Sequence, residues 1–275
     1  MKKKILAVLM LGVMTLSFMG CGNSGGDSAS KSSDSQKAAT TEVEGSMKDV
    51  SIKIGTSGLF GPFSYYDKDG KTLIGYDIDL LNDIQKILGF KIEGGLQAMD
   101  YSALTTSIAE GKLDVGAAAL CATDERKAVM KFSDTYCDSG QKVMINKNND
   151  EGITGVDSLA GKTVAVEKGT ASHIYAQKKL TNSKIEVHDT ITTAYESLEQ
   201  KKVDAVIQDA PGCAFYIKTT NGTALDVIGD EFNNGQAPYA IAYNNNFKYK
   251  DKFDAALAKL KEDGTLDKLY DKWCK

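Results

Sequence analysis

The sequence predicts an α/β protein whose folded body holds two units, on three observations. Short runs rich in Val and Ile alternate with segments of helical apolar spacing. The alternation runs from Val50 to Ala118 and starts again at Thr163. The body, Asp49 to Lys275, is long enough for one large domain or two small ones, each with its own core.

Lys2-Lys3-Lys4 precedes an apolar run, Ile5 to Phe18, followed by Met19-Gly20-Cys21. A basic stretch before a short apolar one reads as an export signal, because a membrane span needs roughly 20 apolar residues. Gly20 before Cys21 resembles a bacterial lipobox, although Phe18 and Met19 depart from its pattern; Cys21 is the expected lipidation site. The expected signal peptide is 1–20. Residues 21–48 are Gly, Ser, Thr, Asp, Lys and Ala with almost no bulky apolar side chain, which predicts a flexible tether on the order of 30 Å as a coil. The expected location is extracytoplasmic, on a lipid anchor in the cell membrane.

In the body, Val50–Ile54 reads as a strand and Gly75–Leu88 as a helix with Ile78, Leu81, Ile84 and Leu88 on one face. Lys91–Glu93 begins a strand, Tyr101–Ala109 a helix and Leu113–Ala118 a strand. The second run reads as strand Thr163–Val166, helix Ala171–Leu180, strand Lys184–Val187, helix Ile191–Glu199 and strand Val203–Ile207. Strand Tyr239–Tyr243 and helices Lys250–Glu262 and Thr265–Trp273 close the chain. In such sheets ligands collect beyond the carboxyl ends of strands. Gly55-Thr56-Ser57, Leu120-Cys121-Ala122-Thr123, Glu167-Lys168-Gly169-Thr170 and Gln208-Asp209 all fall there, which predicts a cleft.

Several functions are disfavoured. Losing three signal lysines takes the formal charge from −4 to −7 (−4 − 3), against nucleic acid as a partner. No C-x-x-C pair occurs and His173 and His188 are isolated, so no metal or cofactor is expected. Cys121, Cys137, Cys213 and Cys274 are too widely spaced to demand disulfides. The glycines of Gly55–Gly61 fit neither a dinucleotide fingerprint nor a phosphate loop, and no Gly-x-Ser-x-Gly elbow is present. Asp77 and Asp79 point to different helix faces and read as solvated surface. No motif specifies catalysis.

Arg126 is the chain's one arginine; the other 32 of its 33 Lys+Arg residues are lysine. Lysine is a mobile point charge, whereas arginine is a planar fork that grips a carboxylate through two parallel bonds. A lysine-rich chain that keeps arginine at one spot points to a carboxylate there.

Gly75-Tyr76-Asp77-Ile78-Asp79-Leu80, Asp114-Val115, Thr123-Asp124-Glu125-Arg126-Lys127 and Phe132-Ser133-Asp134 follow one another in an order that resembles the bacterial extracellular solute-binding proteins of amino-acid ABC transporters. Gly161–Val166, Gly169-Thr170 and Asp204-Ala205-Val206 continue the likeness, which covers Val50 to Trp273 and is nearest to glutamine-binding members. It implies an α/β periplasmic-binding-protein fold: two lobes, two crossover strands and a central ligand cleft. Lobe one would be 49–138 plus 240–275, lobe two 142–234, and the hinge 139–141 and 235–239.

The resemblance assigns Arg126 to the ligand α-carboxylate, with Ala119, Cys121 and Thr170 completing that site through backbone amides and a hydroxyl. Asp209 would take the α-ammonium. Phe60 and Tyr101 would wall the ligand, and Ser57, Glu167 and Gln208 would read its side chain. Cys121 for a usual Ser or Thr, Ser57 for a common acid and Glu167 for lysine leave the ligand open. Lys168, beside Glu167, is a candidate to neutralise it. The implied function is capture of a polar L-amino acid by lobe closure, for an ABC permease and not as an enzyme. A cyclohexadienyl-dehydratase-like enzyme and a ligand-presenting sensory module are the alternatives.

Overall fold

The computed structural model describes residues 43–148, 152–236 and 238–275. The chain begins with β1 (Ser51–Ile52) and β2 (Ile54–Thr56), then folds β3 (Leu59–Phe60), β4 (Ser64–Tyr66) and β5 (Leu73–Ile74) into a small antiparallel sheet before helix α1 (Tyr76–Leu88). Next come β6 (Lys91–Ile92), β7 (Gln97–Ala98), α2 (Tyr101–Ala109), β8 (Val115–Gly116), the single turn α3 (Asp124–Lys127) and β9 (Lys131–Cys137). The second half carries β10 (Gln141–Asn146), β11 (Thr163–Glu167), α4 (Ala171–Lys179), β12 (Lys184–His188), α5 (Ile191–Glu199), β13 (Ala205–Asp209), α6 (Ala210–Thr219) and β14 (Leu225–Phe232). The chain then returns through β15 (Tyr239–Tyr243), α7 (Lys250–Glu262) and α8 (Thr265–Cys274).

Two five-stranded sheets share one plan. In the first, β7-β2-β8-β15-β9, the leading three strands are parallel and β15 runs antiparallel to both neighbours. In the second, β12-β11-β13-β10-β14, three parallel strands are again followed by antiparallel pairings. Consecutive strands β9 and β10 lie in different sheets, as do β14 and β15, so the chain crosses twice, after Cys137 and after Phe232. Gln141 and Tyr239, expected in the hinge, are instead the first residues of β10 and β15.

The apolar pattern follows from burial. On β11, Val164 and Val166 enter one core with Val143 and Ile207, while Ala165 faces the other with Met144, Val206 and Leu198. Helices cover both faces, so these parallel strands read as continuous apolar runs. The α1 stripe of Leu80, Leu81, Ile84 and Leu88 packs in the lobe-one core with Ile54, Tyr243 and Phe253.

The expected signal peptide, Cys21 and most of the tether lie outside the described residues. The tether's last stretch, however, is folded. Met47 is fully buried in the lobe-one core, and the amides of Gly45 and Met47 donate to the carbonyls of Ile87 and Leu88 at the end of α1. Lobe one therefore starts by Val43: Val43 and Met47 pack on its core, and Lys252 and Lys259 of α7 reach Ser46 O and Glu44. Among the described residues no helix is long and apolar enough to cross a membrane.

Candidate functional site

The lobe-one wall is organised by a buried carboxylate. Gly75 has φ 131°, and a Cβ there would collide with the Phe63 backbone, so only glycine lets α1 start against that loop. The amides of Tyr76 and Asp77 then donate to the carbonyls of Pro62 and Phe63. This aims Asp77 inward. It is fully buried, contrary to the expected surface position, and its Oδ2 accepts the Ala119 amide at 2.5 Å. Burial pushes the Asp77 carboxyl up to about 7, against the pull of Tyr136 and the Ala119 amide. Ala119 itself sits at φ 48°, a left-handed conformation costly for a side-chain-bearing residue and held here by that bond.

That geometry corrects one expected role. The Ala119 amide is committed to Asp77 and is not available to a ligand carboxylate. The Ala119 carbonyl instead lies 3.9 Å from the Cys121 sulfur, which is 3.7 Å from Asp209 Oδ2. Cys121 bridges Tyr239 across antiparallel backbone, flanked by bonds from Ala122 N to Pro238 O and from Ala240 N to Leu120 O. In that register the Cys121 amide points away from Tyr239.

Thr123 caps α3, accepting the Arg126 amide at 3.4 Å, and the one-turn helix turns the Arg126 side chain inward. Arg126 is 6% exposed, so it is no chance surface residue. Its Nη1 donates to Cys121 O at 2.8 Å and its Nη2 to Gly169 O of lobe two at 2.7 Å, with the Tyr101 ring 5.1 Å from the guanidinium carbon. Among the described residues its hydrogen bonds go to carbonyls, and no carboxylate forms an ion pair with it.

Lobe two presents acids. Glu167 ends β11 and is 8% exposed. Burial pushes its carboxyl up to about 8, helped by repulsion from Asp209 and opposed by the Ile191 amide at the start of α5. Lys168 turns away to Asp189, 3.7 Å distant, so the expected neutralisation of Glu167 does not occur. No described cation pairs with Glu167. The Thr170 hydroxyl is also committed elsewhere: it donates to Glu167 O at 2.7 Å and accepts the His173 amide at 3.1 Å, capping α4. Its expected contact with a ligand carboxylate is therefore replaced by a structural one.

Asp209 ends β13 at the seam between lobes. Its Oδ1 accepts from Gln141 Nε2 at 3.0 Å and its Oδ2 from the Tyr239 hydroxyl at 2.9 Å. Burial raises its pKa despite these bonds and the Arg126 charge. All its hydrogen-bonding partners are neutral.

A narrow cavity of about 20 Å³ lies among Phe60, Tyr101, Ala119, Glu167, Thr170, Ser172, Ile191, Ile207, Gln208 and Asp209. Both lobes contribute. Seven expected residues line it; Arg126 adjoins it through the Tyr101 ring and Cys121 through Asp209. Ser57 is buried but is not among the lining residues; its hydroxyl accepts the Leu59 amide at 3.3 Å. Ser172, Ile191 and Ile207 were not anticipated; the signal for Ser172 and Ile191 was their place in the first turns of helices that follow cleft-facing strands. Gln208 Oε1 is buried with no hydrogen-bond partner in the described structure. Among the described residues no cluster of three or more His, Cys, Asp or Glu could hold a metal ion.

Comparison with known proteins follows the same lines. The L-cystine-binding protein TcyJ of Escherichia coli (strain K12) is 30% identical over 222 residues, covering 81% of this chain and 82% of TcyJ. The arginine-binding extracellular protein ArtP of Bacillus subtilis (strain 168) is 29% identical over 98% of each chain. An ancestral arginine-binding protein bound to arginine superposes with a TM-score of 0.75 at 35% identity, covering 82% of this chain and 98% of that one. The ancestral amino acid-binding protein AncCDT-1, a precursor of cyclohexadienyl dehydratase, does so at 0.73 and 31% identity, covering 83% and 97%. The model of the bacterial extracellular solute-binding proteins, family 3, matches residues 52–275. Two lobes of one plan, a cleft at their strand ends and this match together establish that the chain belongs to the bacterial extracellular solute-binding proteins, family 3.

Proposed function

We propose that the chain is the capture component of an amino-acid ABC importer, closing its lobes on an L-amino acid with a cationic or neutral polar side chain, the cationic ones first. Arg126 receives the α-carboxylate, for which its fork has donors beyond the two given to carbonyls. The Cys121 amide and the N-terminal turn of α4 supply further N–H groups. Asp209 and the Ala119 carbonyl receive the α-ammonium.

One observation carries the side-chain reading: Glu167 is buried in the cavity wall with no cation beside it among the described residues. Arg126 beside the wall then stands against Glu167 and Asp209 in it, a formal charge of +1 − 2 = −1 when both acids are ionised. A zwitterion with a neutral side chain leaves that deficit, whereas a cationic side chain cancels it. An acidic side chain doubles it in a dehydrated site.

This reading favours L-arginine and L-lysine over the glutamine that sequence resemblance put first. Calorimetric titration with arginine, lysine, glutamine and glutamate tests it. The expected order ends in glutamate, and glutamate binding as tightly as arginine would sink it. The Cys21 lipid anchor is part of the proposal; Cys21→Ala should release the protein from membranes into the medium. We read the protein as a binder without turnover, although a protonated Glu167 in a cleft has the form of a general acid. Loss of a prephenate-like substrate on incubation would overturn that.

A further inference from the structure

Where the lobes meet beside Phe60, each presents a glycine to an aromatic ring of the other. Gly61, after β3 in lobe one, faces Phe215 on α6 of lobe two. A Cβ at Gly61 would lie 2.7 Å from the Phe215 Cζ and nearer still to two other atoms of that ring, closer than real Cβ atoms come. Gly212, on α6, faces Phe60 of lobe one in the reverse sense. A Cβ there would meet Phe60 Cε2 at 2.5 Å and Gln208 Nε2 at 2.8 Å.

Backbone conformation does not ask for glycine at either position. Neither φ lies in the left-handed region, and a helix such as α6 is less stable with glycine than with alanine at Gly212. The reason is the ring opposite. Tyr65 of lobe one closes over the same ring, with centroids 4.8 Å apart, and itself meets Trp273 of α8 edge-on at 6.2 Å. Lys218 on α6 adds a 2.8 Å bond to the Lys275 carbonyl of lobe one.

We propose that Gly61 and Gly212 are the sockets of a reciprocal aromatic latch, with Phe215 and Phe60 as its tongues, that holds the lobes together on ligand capture. The latch exists only when the lobes meet, so it adds to the affinity for whatever the cleft holds. Gly61, Tyr65 and Phe215 are absent from the cavity wall; with Gly212 they line a second cavity of about 130 Å³ that shares Phe60, Ile191 and Gln208 with it. Phe60 serves both, which ties ligand contact to latching. The inference rests on the capture reading above.

Four full-length proteins decide it: wild type, Gly61→Ala, Phe215→Ala and the double variant. Each is titrated calorimetrically with L-arginine, L-lysine, L-glutamine and L-cystine, and each is melted without ligand. For the amino acid that wild type binds best, Gly61→Ala should weaken binding by about 5- to 100-fold, because a methyl forced against a packed ring must displace it. In the Phe215→Ala background the same change should cost less than about twofold, since the ring is gone. Ligand-free melting, which samples lobes free to part, should move little. Unchanged affinity in Gly61→Ala, or an equal loss with and without Phe215, would overturn the latch. If Gly61→Ala fails to fold, Phe215→Leu replaces it; a reduced ring contact should again weaken binding, and unchanged affinity would overturn the proposal. Wild type binding none of the four would overturn the capture reading itself, and the latch with it.

Discussion

The two lobes share a sheet plan and differ in the charge they bring to the cleft. Lobe one buries a cation, Arg126, and gives it carbonyls and the face of Tyr101. Lobe two buries two acids, Glu167 and Asp209, which receive amide and hydroxyl donors but no ion pair. Buried charges that are hydrogen-bonded yet not ion-paired are only partly compensated. On the proposed reading, each lobe leaves a different half of a zwitterion's partner set, and only the two together make a complete one. In the closed arrangement Arg126 reaches Gly169 and Tyr239 reaches Asp209 across the seam, beside an exposed Glu125–Lys178 ion pair.

The sharpest break in this symmetry is Arg126→Lys. A point charge cannot reproduce a fork that spans Cys121 O, Gly169 O and a carboxylate, so affinity should fall roughly 30- to 1000-fold, about 2–4 kcal/mol. Its ligand-free melting should stay near wild type. Calorimetry showing wild-type affinity in the Lys variant would remove Arg126 from the carboxylate site. On the other lobe, Asp209→Asn should weaken a free amino acid by roughly 10- to 100-fold while an N-acetylated analogue loses far less. Equal losses for both ligands would mean that Asp209 does not hold the ammonium.

Glu167→Gln tests the side-chain half of the contrast. It should weaken L-arginine roughly tenfold or more and leave L-glutamate no worse off. With the carboxyl pushed up to about 8, a cationic side chain favours the ionised form. Below that pH, binding then releases a proton, and arginine affinity should rise with pH up to about 8. Titrations in buffers of different ionisation enthalpy read the released proton directly, and Glu167→Gln should abolish it. A flat pH profile in wild type would contradict the assignment.

How much of this was legible in the sequence differs between the lobes for physical reasons. Arg126 stood out because it is the one arginine of a lysine-rich chain, a signal that needs no knowledge of the fold. The ends of β11 and β13 were readable because strands buried on both faces are continuous apolar runs. Strand β14 was not, since Gly229 and charged residues interrupt it. Helix α6 begins Ala-Pro-Gly, which reads as a turn; Pro211 fits a first helical turn, and the Phe60 ring opposite gives Gly212 a reason to lack a Cβ. Asp77 was misread because its partner, the Ala119 amide, lies 42 residues away. No periodicity reports a contact at that distance.

Asp77 yields the smallest prediction. Its folded carboxyl at about 7 exceeds the ordinary value of 3.8, so the native state holds more protons between those limits. The stability it contributes is fully present below pH 4 and is lost as pH rises through 7; Glu167 extends the decline to about 8. Asp77→Asn keeps an oxygen for the Ala119 amide and should flatten the fall in melting temperature between pH 5 and 8. An unaltered slope would show that Asp77 is already ionised in the folded protein.

Small-angle scattering of wild type, Arg126→Lys and Asp209→Asn, each without ligand and with 1 mM L-arginine, tests the division of charge between lobes most directly. The account predicts that wild type contracts on adding arginine, while either variant, lacking one lobe's share, contracts less or not at all at that concentration. Full contraction in both variants would contradict it, because closure would then not depend on pairing opposite ends of the ligand with opposite lobes.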